Sequence, residues 1–308
     1  GIRRLKKNKI AMVSLVVIIF VFIFSFLVPQ FYPYSYEQQI RGSENLAPMQ
    51  YSEKELEAKA AGESVFPHVL GTDNLGRDYA VRVMMGSRVS LTVGLVASAI
   101  ILLIGSLYGS IAGFFGGWVD MIMMRIVDMI YTVPDILIIV LLSVAFDQPL
   151  KALAQKPGFE WIQVIGVNLI SIFVVFALLY WVGMARIVRS QILILKEQEY
   201  VTAARALGAS NGRIIRKHLL TNCIGTLIVT TTLQIPSSIF TESFLSFLGL
   251  GVAAPMPSLG SLASAALNGL QSYPHRLFAP ALAISIIILS FNLLGDGLRD
   301  AFDPKLKD

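Results

Sequence analysis

Residues 199–208 read EYVTAARALG, and a short apolar and basic stretch follows them up to Asn222. Helical periodicity puts several of these residues on one apolar face: Tyr200, Ala203, Ala204 and Leu207. Gly208 is predicted to end this helix, because glycine readily adopts the left-handed conformation that follows a helix C-terminus. A second short helix should follow Asn211. Since long apolar runs flank this charged helix–glycine–helix, we expect it to bind a soluble partner rather than to pack in a core. An ordinary cytoplasmic loop is the alternative.

The chain as a whole is too apolar for a soluble protein. Of its 308 residues, 55% are hydrophobic and only 15% are charged, and the mean hydropathy is +0.68. We therefore predict an integral membrane protein. The net charge of +5 is explained by the preference of basic residues for the cytoplasmic side, so nucleic acid binding is not expected. The single cysteine, Cys223, excludes an internal disulfide.

Six apolar runs are long enough to cross a hydrocarbon core of ~30 Å. They comprise residues 10–28, 89–114, 119–146, 162–182, 223–248 and 278–294. Basic residues crowd the first nine positions and the stretch 186–217, which places both termini of this multi-pass chain in the cytoplasm. The predicted fold is an all-α membrane protein with the following parts: a cytoplasmic N-terminus and first helix (1–28), an extracytoplasmic loop (29–88), a transmembrane core of helices two to six (89–298) containing the loop 186–222, and a cytoplasmic tail (299–308).

Several local patterns predict how these parts are built. The capping-box pair Ser52 and Glu55 predicts a short helix in the loop 29–88. Pro236 should kink the fifth span, since proline removes a backbone donor. Three glycines spaced by four residues predict close helix packing in the second span: Gly105, Gly109 and Gly113.

A polar motif, HVLGTDNLGRD, occupies residues 68–78, just before the second span. Gly71 and Gly76 have the spacing of a phosphate-binding loop, but Arg77 and Asp78 replace its Lys-Ser/Thr end, so we reject a nucleotide site. A metal site of His68, Asp73 and Asp78 is an alternative. We favour a structural role, in which the two aspartates accept hydrogen bonds from the backbone and from Arg77.

Charged residues also fall inside the predicted spans. Arg125 and Asp128 are three residues apart on one helix face, Asp135 follows in the same run, and Glu242 lies in the fifth span. Charges inside a membrane are costly and are candidates for function. Mutual pairing of Arg125 with Asp128 is favoured over a gating role. Glu242 should face a cavity, a partner subunit or another helix, and all four residues are pathway or gating candidates.

The sequence contains no recognisable catalytic constellation. Its three histidines are scattered, and it has no Walker motif, no His-Glu-x-x-His and no serine elbow. We therefore predict no catalytic residues and no metal or other cofactor in this chain. Any ATP hydrolysis must come from another protein.

Three stretches resemble a known family. Thr202-Ala203-Ala204 followed by Gly208 is similar to the EAA loop of ABC importer permeases, although Thr202 stands where that motif has Glu and Thr221 where Pro usually precedes Asn222. The 68–78 motif, which includes Thr72, resembles the His-x-x-Gly-Thr-Asp-x-x-Gly-Arg-Asp stretch of peptide-type permeases. The strings TESFLSFLGLG at 241–251 and NLLGDGLRDAFDPK at 292–305 resemble the oligopeptide/dipeptide branch, so the resemblance covers nearly the whole chain.

This resemblance implies the type I ABC importer permease fold and a multi-subunit transporter in a bacterial plasma membrane. The implied partners are a second homologous permease, two cytoplasmic ATPases that bind ATP and Mg²⁺, and an extracellular substrate-binding protein. The implied substrates are peptides. The resemblance assigns coupling to the ATPases to these residues: Glu199, Tyr200, Thr202, Ala203, Ala204, Arg205, Leu207 and Gly208.

Two other functions stay open at this point. Related permeases share these motifs, so nickel or another small solute is an alternative substrate. A stand-alone secondary transporter or channel would show an internal repeat or paired broken helices, and the sequence shows neither.

Overall fold

The computed structural model describes residues 2–252 and 255–302. Within these residues all regular structure is helical, with one isolated bridge between Thr72 and Asp78. The first half of the chain contains α1 (Ile2–Leu5), α2 (Lys9–Phe22) with a π-helical turn (Ile23–Leu27), α3 (Val28–Phe31), α4 (Glu53–Ala60), α5 (Tyr79–Phe115), α6 (Gly117–Tyr131) and α7 (Asp135–Ala154). The second half contains α8 (Trp161–Ile165), α9 (Val167–Leu179), α10 (Trp181–Leu195), α11 (Glu199–Ala206), α12 (Asn211–Arg213) with a π-helix (Ile214–Leu219), α13 (Leu220–Asn222), α14 (Ile224–Phe247), α15 (Leu259–Ala266) with a 3₁₀ turn (Leu267–Gly269), and α16 (His275–Phe302).

Six helical stretches of the described chain are long and apolar enough to cross a membrane. They are Lys9–Phe31, Tyr79–Phe115, Ile136–Ala154, Val167–Leu195, Ile224–Phe247 and His275–Phe302. The predicted number of spans is therefore confirmed. The first two spans are longer than predicted, so the loop between them covers residues 32–78 rather than 29–88. The predicted tail 299–308 continues α16 up to Phe302, and residues 303–308 lie outside the described part.

The prediction of one continuous third span over residues 119–146 is wrong, because two separate helices occupy this stretch. α6 ends at Tyr131 and α7 begins at Asp135. Pro134 separates them, with ψ at 118°. Proline has no N–H to donate, and its ring disfavours a helical conformation at the preceding residue. Of the two helices, only α7 contributes a candidate span.

The chain divides into two compact units. The first contains the N-terminal residues up to Val13, Leu95–Ser238 and the C-terminal part from Phe291; the second contains Ser14–Gly94 and Ile239–Ser290. In the first unit, α7 packs against α9 and α6 packs against α10. Cys223 lies there too, directly before α14, and is 1% exposed.

The glycines of α5 bring its backbone close to α10, as predicted. A side chain at Gly105 would overlap Met184, one at Gly109 would overlap the Ala185 carbonyl, and one at Gly113 would press on Ile192. Small residues at four-residue spacing therefore form a groove into which α10 fits. This contact fixes the helix from which the 199–222 segment continues.

In the second unit the short helices of the loops are capped as expected. Ser52 and Glu55 form the predicted capping box at the start of α4. Ser258 and Ser261 form a second capping box at the start of α15. Gly260 of α15 lies against the Ser243 backbone of α14, where no side chain would fit.

Candidate functional site

The segment between α10 and α14 forms the predicted helix–glycine–helix. The N–H of Gly208 donates to the Arg205 carbonyl (2.9 Å), and the N–H of Ala209 donates to the Ala204 carbonyl (3.0 Å). These two bonds are those of a Schellman motif, which ends a helix with a left-handed residue. Gly208 has a φ of +79° and open space around its Cα. Backbone conformation, and not crowding, therefore favours glycine at this position.

α11 is anchored by Val201 and exposes most of its other side chains. Val201 is fully buried and Ala204 is half-buried, whereas Leu207 is 89% exposed. The apolar face predicted from periodicity is therefore turned outward except at Ala204, because Val201 is the residue that packs inside. The other predicted coupling residues on this helix are exposed as well: Glu199, Tyr200, Thr202, Ala203, Arg205 and Gly208.

The second helix of the segment is wider than an α-helix. Ile214 and Leu219 are both fully buried and are five residues apart, which is the hydrogen-bond spacing of the π-helix Ile214–Leu219. Ile215 and Leu220, each half-buried, repeat the same spacing. This five-residue spacing of apolar residues is readable in the sequence as a departure from the α-helical period.

Basic side chains cover the outer side of this second helix. Arg213, Arg216 and Lys217 are exposed, and in the described residues none of them forms an ion pair. Opposite charges on another molecule would stabilise such a surface and guide its approach.

One contact joins the two helices of this segment to each other, and a second contact joins the segment to α5. The side-chain amide of Asn222 donates to the Tyr200 hydroxyl (3.2 Å) and to the His218 carbonyl (2.6 Å), which links the end of the second helix to α11. The Arg205 guanidinium lies 5.3 Å from the ring centre of Phe114, near the end of α5. The helix–glycine–helix is thus a folded element fixed to a long helix, and not a free loop.

α10, which leads into this segment, is joined to α6 by two ion pairs. Arg189 binds Asp120 in bidentate fashion, with both N···O distances at 2.5 Å, and Arg186 binds Asp128 at 2.8 Å. Bidentate arginine–carboxylate pairs are the stronger kind. The sequence analysis missed Asp120 and Arg189, whose pairing across two helices leaves no local spacing signal.

The favoured pairing of Arg125 with Asp128 is therefore wrong. Arg186 of α10 reaches the Asp128 carboxylate, and among the described residues Arg125 forms no ion pair. α6 is not one of the candidate spans of the described chain. Asp135 begins α7, and its side chain lies outside the described structure. A gating role for these residues stays a prediction.

Glu242 is fully buried and faces another helix. Its carboxylate accepts hydrogen bonds from Ser90 of α5 (2.7 Å), from Ser246 (2.7 Å) and from Ser243 (3.3 Å). Ser246 in turn accepts the N–H of Val252 (3.2 Å). Three environments were possible for Glu242, namely a cavity, a partner subunit or another helix, and the structure shows another helix.

In the loop 32–78, the aspartates of the 68–78 motif bind the backbone and Arg77, as predicted. Asp73 accepts the N–H groups of Leu75 (2.8 Å) and Arg77 (3.1 Å) and the Arg77 Nε (2.7 Å). Asp78 accepts the N–H of Val81 (3.0 Å) in the first turn of α5. These bonds fix the chain where α5 begins.

The glycines and Thr72 of this motif hold the loop against other segments. Gly71 and Gly76 have positive φ, at +73° and +69°, and side chains there would overlap the carbonyls of Leu46 and Ile40. The Thr72 carbonyl accepts a hydrogen bond from Arg276 (2.7 Å). Sequence reasoning did not identify Arg276, which is 204 positions away.

His68 is fully buried between two carboxylates. Its Nδ1 lies 2.7 Å from Asp78 and its Nε2 lies 3.0 Å from Glu55, while its ring stacks on Tyr34 with centroids 4.5 Å apart. Burial lowers the pKa of His68, but the hydrogen bonds and charges of Asp78 and Glu55 outweigh it and raise that pKa above its usual value. Throughout the described residues, no three potential ligands form a metal site. The arrangement is that of a histidine joining two segments.

Comparisons with known proteins match these features. Residues 105–308 match the family described as binding-protein-dependent transport system inner membrane component, and residues 1–48 match the N-terminal TM domain of oligopeptide transport permease C. The chain is 41% identical over 304 residues to the oligopeptide transport system permease protein OppC of Bacillus subtilis, covering 99% of this chain and 88% of that one. It is 43% identical over 306 residues to the dipeptide transport system permease protein DppC of the same organism, covering 99% and 85%.

A further relative is named for a different substrate. The glutathione transport system permease protein GsiD of Pectobacterium atrosepticum is 38% identical over 240 residues, covering 78% of this chain and 73% of that one. Together with the six helical spans, these matches confirm the predicted type I ABC importer permease fold. The chain therefore belongs to the binding-protein-dependent transport family of ABC importer permease subunits, in its oligopeptide/dipeptide branch.

Proposed function

We propose that this chain is the transmembrane permease subunit of an ATP-driven importer of peptides and forms half of its translocation pathway. The names of its relatives support peptides as the substrate class, since they refer to oligopeptides, dipeptides and glutathione. No feature of the described structure favours nickel or another small solute.

The observation that carries the coupling role is the exposed surface of the helix–glycine–helix. A strip of apolar side chains on α11, ending at the 89% exposed Leu207, lies beside the basic side of the second helix. The element is folded on its inner side through Val201 and Ile214. We infer that an ATPase subunit covers the outer side and that acidic residues of that subunit face Arg213, Arg216 and Lys217.

The proposed assembly contains this permease, a homologous second permease, two ATPases and a substrate-binding protein. ATP and Mg²⁺ would be bound by the ATPases. The positive-inside rule supports a cytoplasmic position for the helix–glycine–helix and both termini, with the 32–78 loop on the opposite side of the cell membrane. Closure of the ATPases would push on the Glu199–Ala206 helix, and α10 would carry that motion to α5 and α6 through the glycine contacts and the two ion pairs.

Leu207→Gln tests the proposed contact. Because the side chain of Leu207 is 89% exposed, its replacement should leave the fold of this chain unchanged. If a partner buries it, the loss is about 1.5–3 kcal/mol of apolar contact, or at least tenfold in affinity for the ATPase. Co-purification and ATPase stimulation by loaded binding protein measure this loss. The matched control is Leu56→Gln, which changes an exposed leucine (52%) of α4 in the other loop.

Gly208 provides a second test at the same element. Gly208→Val should disturb the turn, since a β-branched residue is strongly disfavoured at positive φ, whereas Gly208→Asn should be tolerated. Peptide uptake into liposomes that contain ATP should be lost with valine and kept with asparagine. Normal uptake with both Leu207→Gln and Gly208→Val, with the ATPases still bound, would contradict coupling through this element.

A further inference from the structure

An apolar groove of about 420 Å³ lies in the second unit between α2, α5 and α16. On α16, the residues that line it recur at helical spacing from His275 to Ile287. On the first span they recur from Val17 in α2 to Phe24 in the π-helical turn that follows it. Aliphatic and aromatic side chains form nearly all of its wall. Ala279 and Ala283 are the small residues that leave room along α16.

The length and position of the groove correspond to one leaflet of a bilayer. The twelve helical steps from His275 to Ile287 rise about 18 Å, and half of a hydrocarbon core is about 15 Å thick. Both α2 and α16 belong to candidate membrane spans. Phe20 (64% exposed) and Phe278 (69%) border the groove, so it is open along the outer side of these candidate spans.

One end of the groove is polar. His275 is the first residue of α16 and of the candidate span His275–Phe302, so it should lie near the membrane interface. Its Nε2 is buried and finds no hydrogen-bond partner in the described structure. A buried polar group of this kind is costly unless a ligand or water satisfies it. The groove thus combines apolar walls with a ring nitrogen of His275 that has no partner among the described residues.

We propose that this groove binds one phospholipid, with an acyl chain lying along α16 and a glycerol-ester or headgroup oxygen at the Nε2 of His275. A phospholipid places its polar oxygens at the interface and its hydrocarbon chain toward the membrane centre. That order matches His275 at one end and Ile287 at the other. Such a lipid completes the packing between α2, α5 and α16.

Photolabelling of the full chain in lipid vesicles tests this proposal. The vesicles contain phosphatidylethanolamine, phosphatidylglycerol and a trace of phosphatidylglycerol with a diazirine in its acyl chain. After irradiation, mass spectrometry maps the labelled residues of α16. We expect adducts on the groove-lining face between 279 and 287, well above the level on the exposed Ala281.

Three variants make the test specific. Ala283→Phe fills the groove, so labelling of its face should fall to the level of Ala281. Ala281→Phe adds the same side chain on the same helix outside the groove and should leave labelling unchanged. His275→Leu keeps the side-chain size but removes the nitrogen, so native mass spectrometry should show several-fold less retained phospholipid. If Ala283→Phe does not fold, Ala279→Val takes its place, because valine narrows the groove more mildly. The labelling pattern of the unchanged chain tests the proposal independently of both variants.

Two outcomes would overturn the proposal. Equal labelling around all exposed faces of α16 would show only a non-specific lipid annulus. Cross-linking of the groove face to another protein subunit in the assembled transporter would show that a partner helix, and not a lipid, occupies it.

Discussion

At the scale of single residues, His68 shows how one side chain joins distant parts of a loop. Glu55 caps α4 through Ser52, and the same carboxylate binds the His68 Nε2. Asp78 caps the start of α5 through Val81, and it binds the Nδ1. Two carboxylates on one ring require both nitrogens to be donors, which is the protonated form of histidine. The junction between α4 and α5 therefore depends on protonation.

The stability of this loop should depend on pH. Because the pKa of His68 is raised, its stabilisation is fully present below the unfolded value of about 6.5 and is lost as pH rises through the folded pKa. Burial opposes ionisation of Glu55, but hydrogen bonds from Ser52 and His68 lower its pKa, so its contribution is lost only in acid. Protease resistance of residues 53–78 should therefore decrease over the range from about pH 6.5 upward.

His68→Gln is the matching variant for this prediction. Glutamine cannot be protonated in this range, so the loop of the variant should be less protected at the acidic end and its protection should not change across that range. A variant with the same pH profile as the unchanged chain would show that another group controls the transition.

At the scale of elements, α10 is held by two contacts of different kinds. Van der Waals contact with the glycines of α5 depends on shape, and the arginine pairs with α6 depend on charge. The sequence predicted the first of these, because glycines at four-residue spacing leave a visible pattern. It could not predict the second, because Arg189 and Asp120 are 69 positions apart and nothing local marks them as partners.

Gly109→Ala tests the shape-dependent contact. The added methyl group would overlap the Ala185 carbonyl, and overpacking of this kind costs typically about 1–3 kcal/mol. Gly183→Ala is the control, since this helical glycine of α10 has open space at its Cα and alanine should gain up to about 1 kcal/mol there. Thermal unfolding in detergent should show a lower Tm for the first variant only. Equal Tm values would show that α5 and α10 separate easily at this contact.

Double-mutant cycles test the charge-dependent contact. Alanine at Arg189 and Asp120 should give a coupling energy of about 1 kcal/mol or more, as expected for a bidentate pair. The more exposed pair Arg186 and Asp128 should give at most about half of that, and Arg125 with Asp128 should give none. Unfolding in a denaturing detergent measures each cycle. Coupling between Arg125 and Asp128 would restore the pairing expected from sequence.

The other differences between expectation and structure arise in the same way. Hydrophobicity alone merged α6 and α7 into one span, although Pro134 marks the break between them. Periodicity placed Leu207 on an apolar face but could not show whether that face packs inside or outside, because Val201 competes for the buried position. The Schellman turn at Gly208, in contrast, was predictable because its signal is local.

At the scale of the whole molecule, the chain is a helical framework. The sequence has no Walker motif, and several of the described charges, such as Arg189 with Asp120, hold helices together. The family to which it belongs consists of membrane components of larger transport systems. An exposed helix–glycine–helix fixed to α10 is consistent with a part that transmits motion.

The purified chain alone should therefore neither hydrolyse ATP nor transport peptide. Liposomes that contain only this chain should show background hydrolysis and no uptake of labelled peptide. Addition of the second permease, the ATPases and the binding protein should restore both activities together. ATP hydrolysis by the isolated chain, free of other subunits, would contradict this prediction.

The burial of Cys223 has a practical consequence for following such motion. Burial raises the pKa of its thiol, and the side chain is only 1% exposed, so alkylating reagents should not reach it. This chain, with Cys223 as its single cysteine, should therefore not react with thiol-directed dyes and spin labels. A cysteine introduced at Gly212, where a side chain would meet open space, would be the single accessible thiol and would report the movement of this element during turnover with Cys223 left in place.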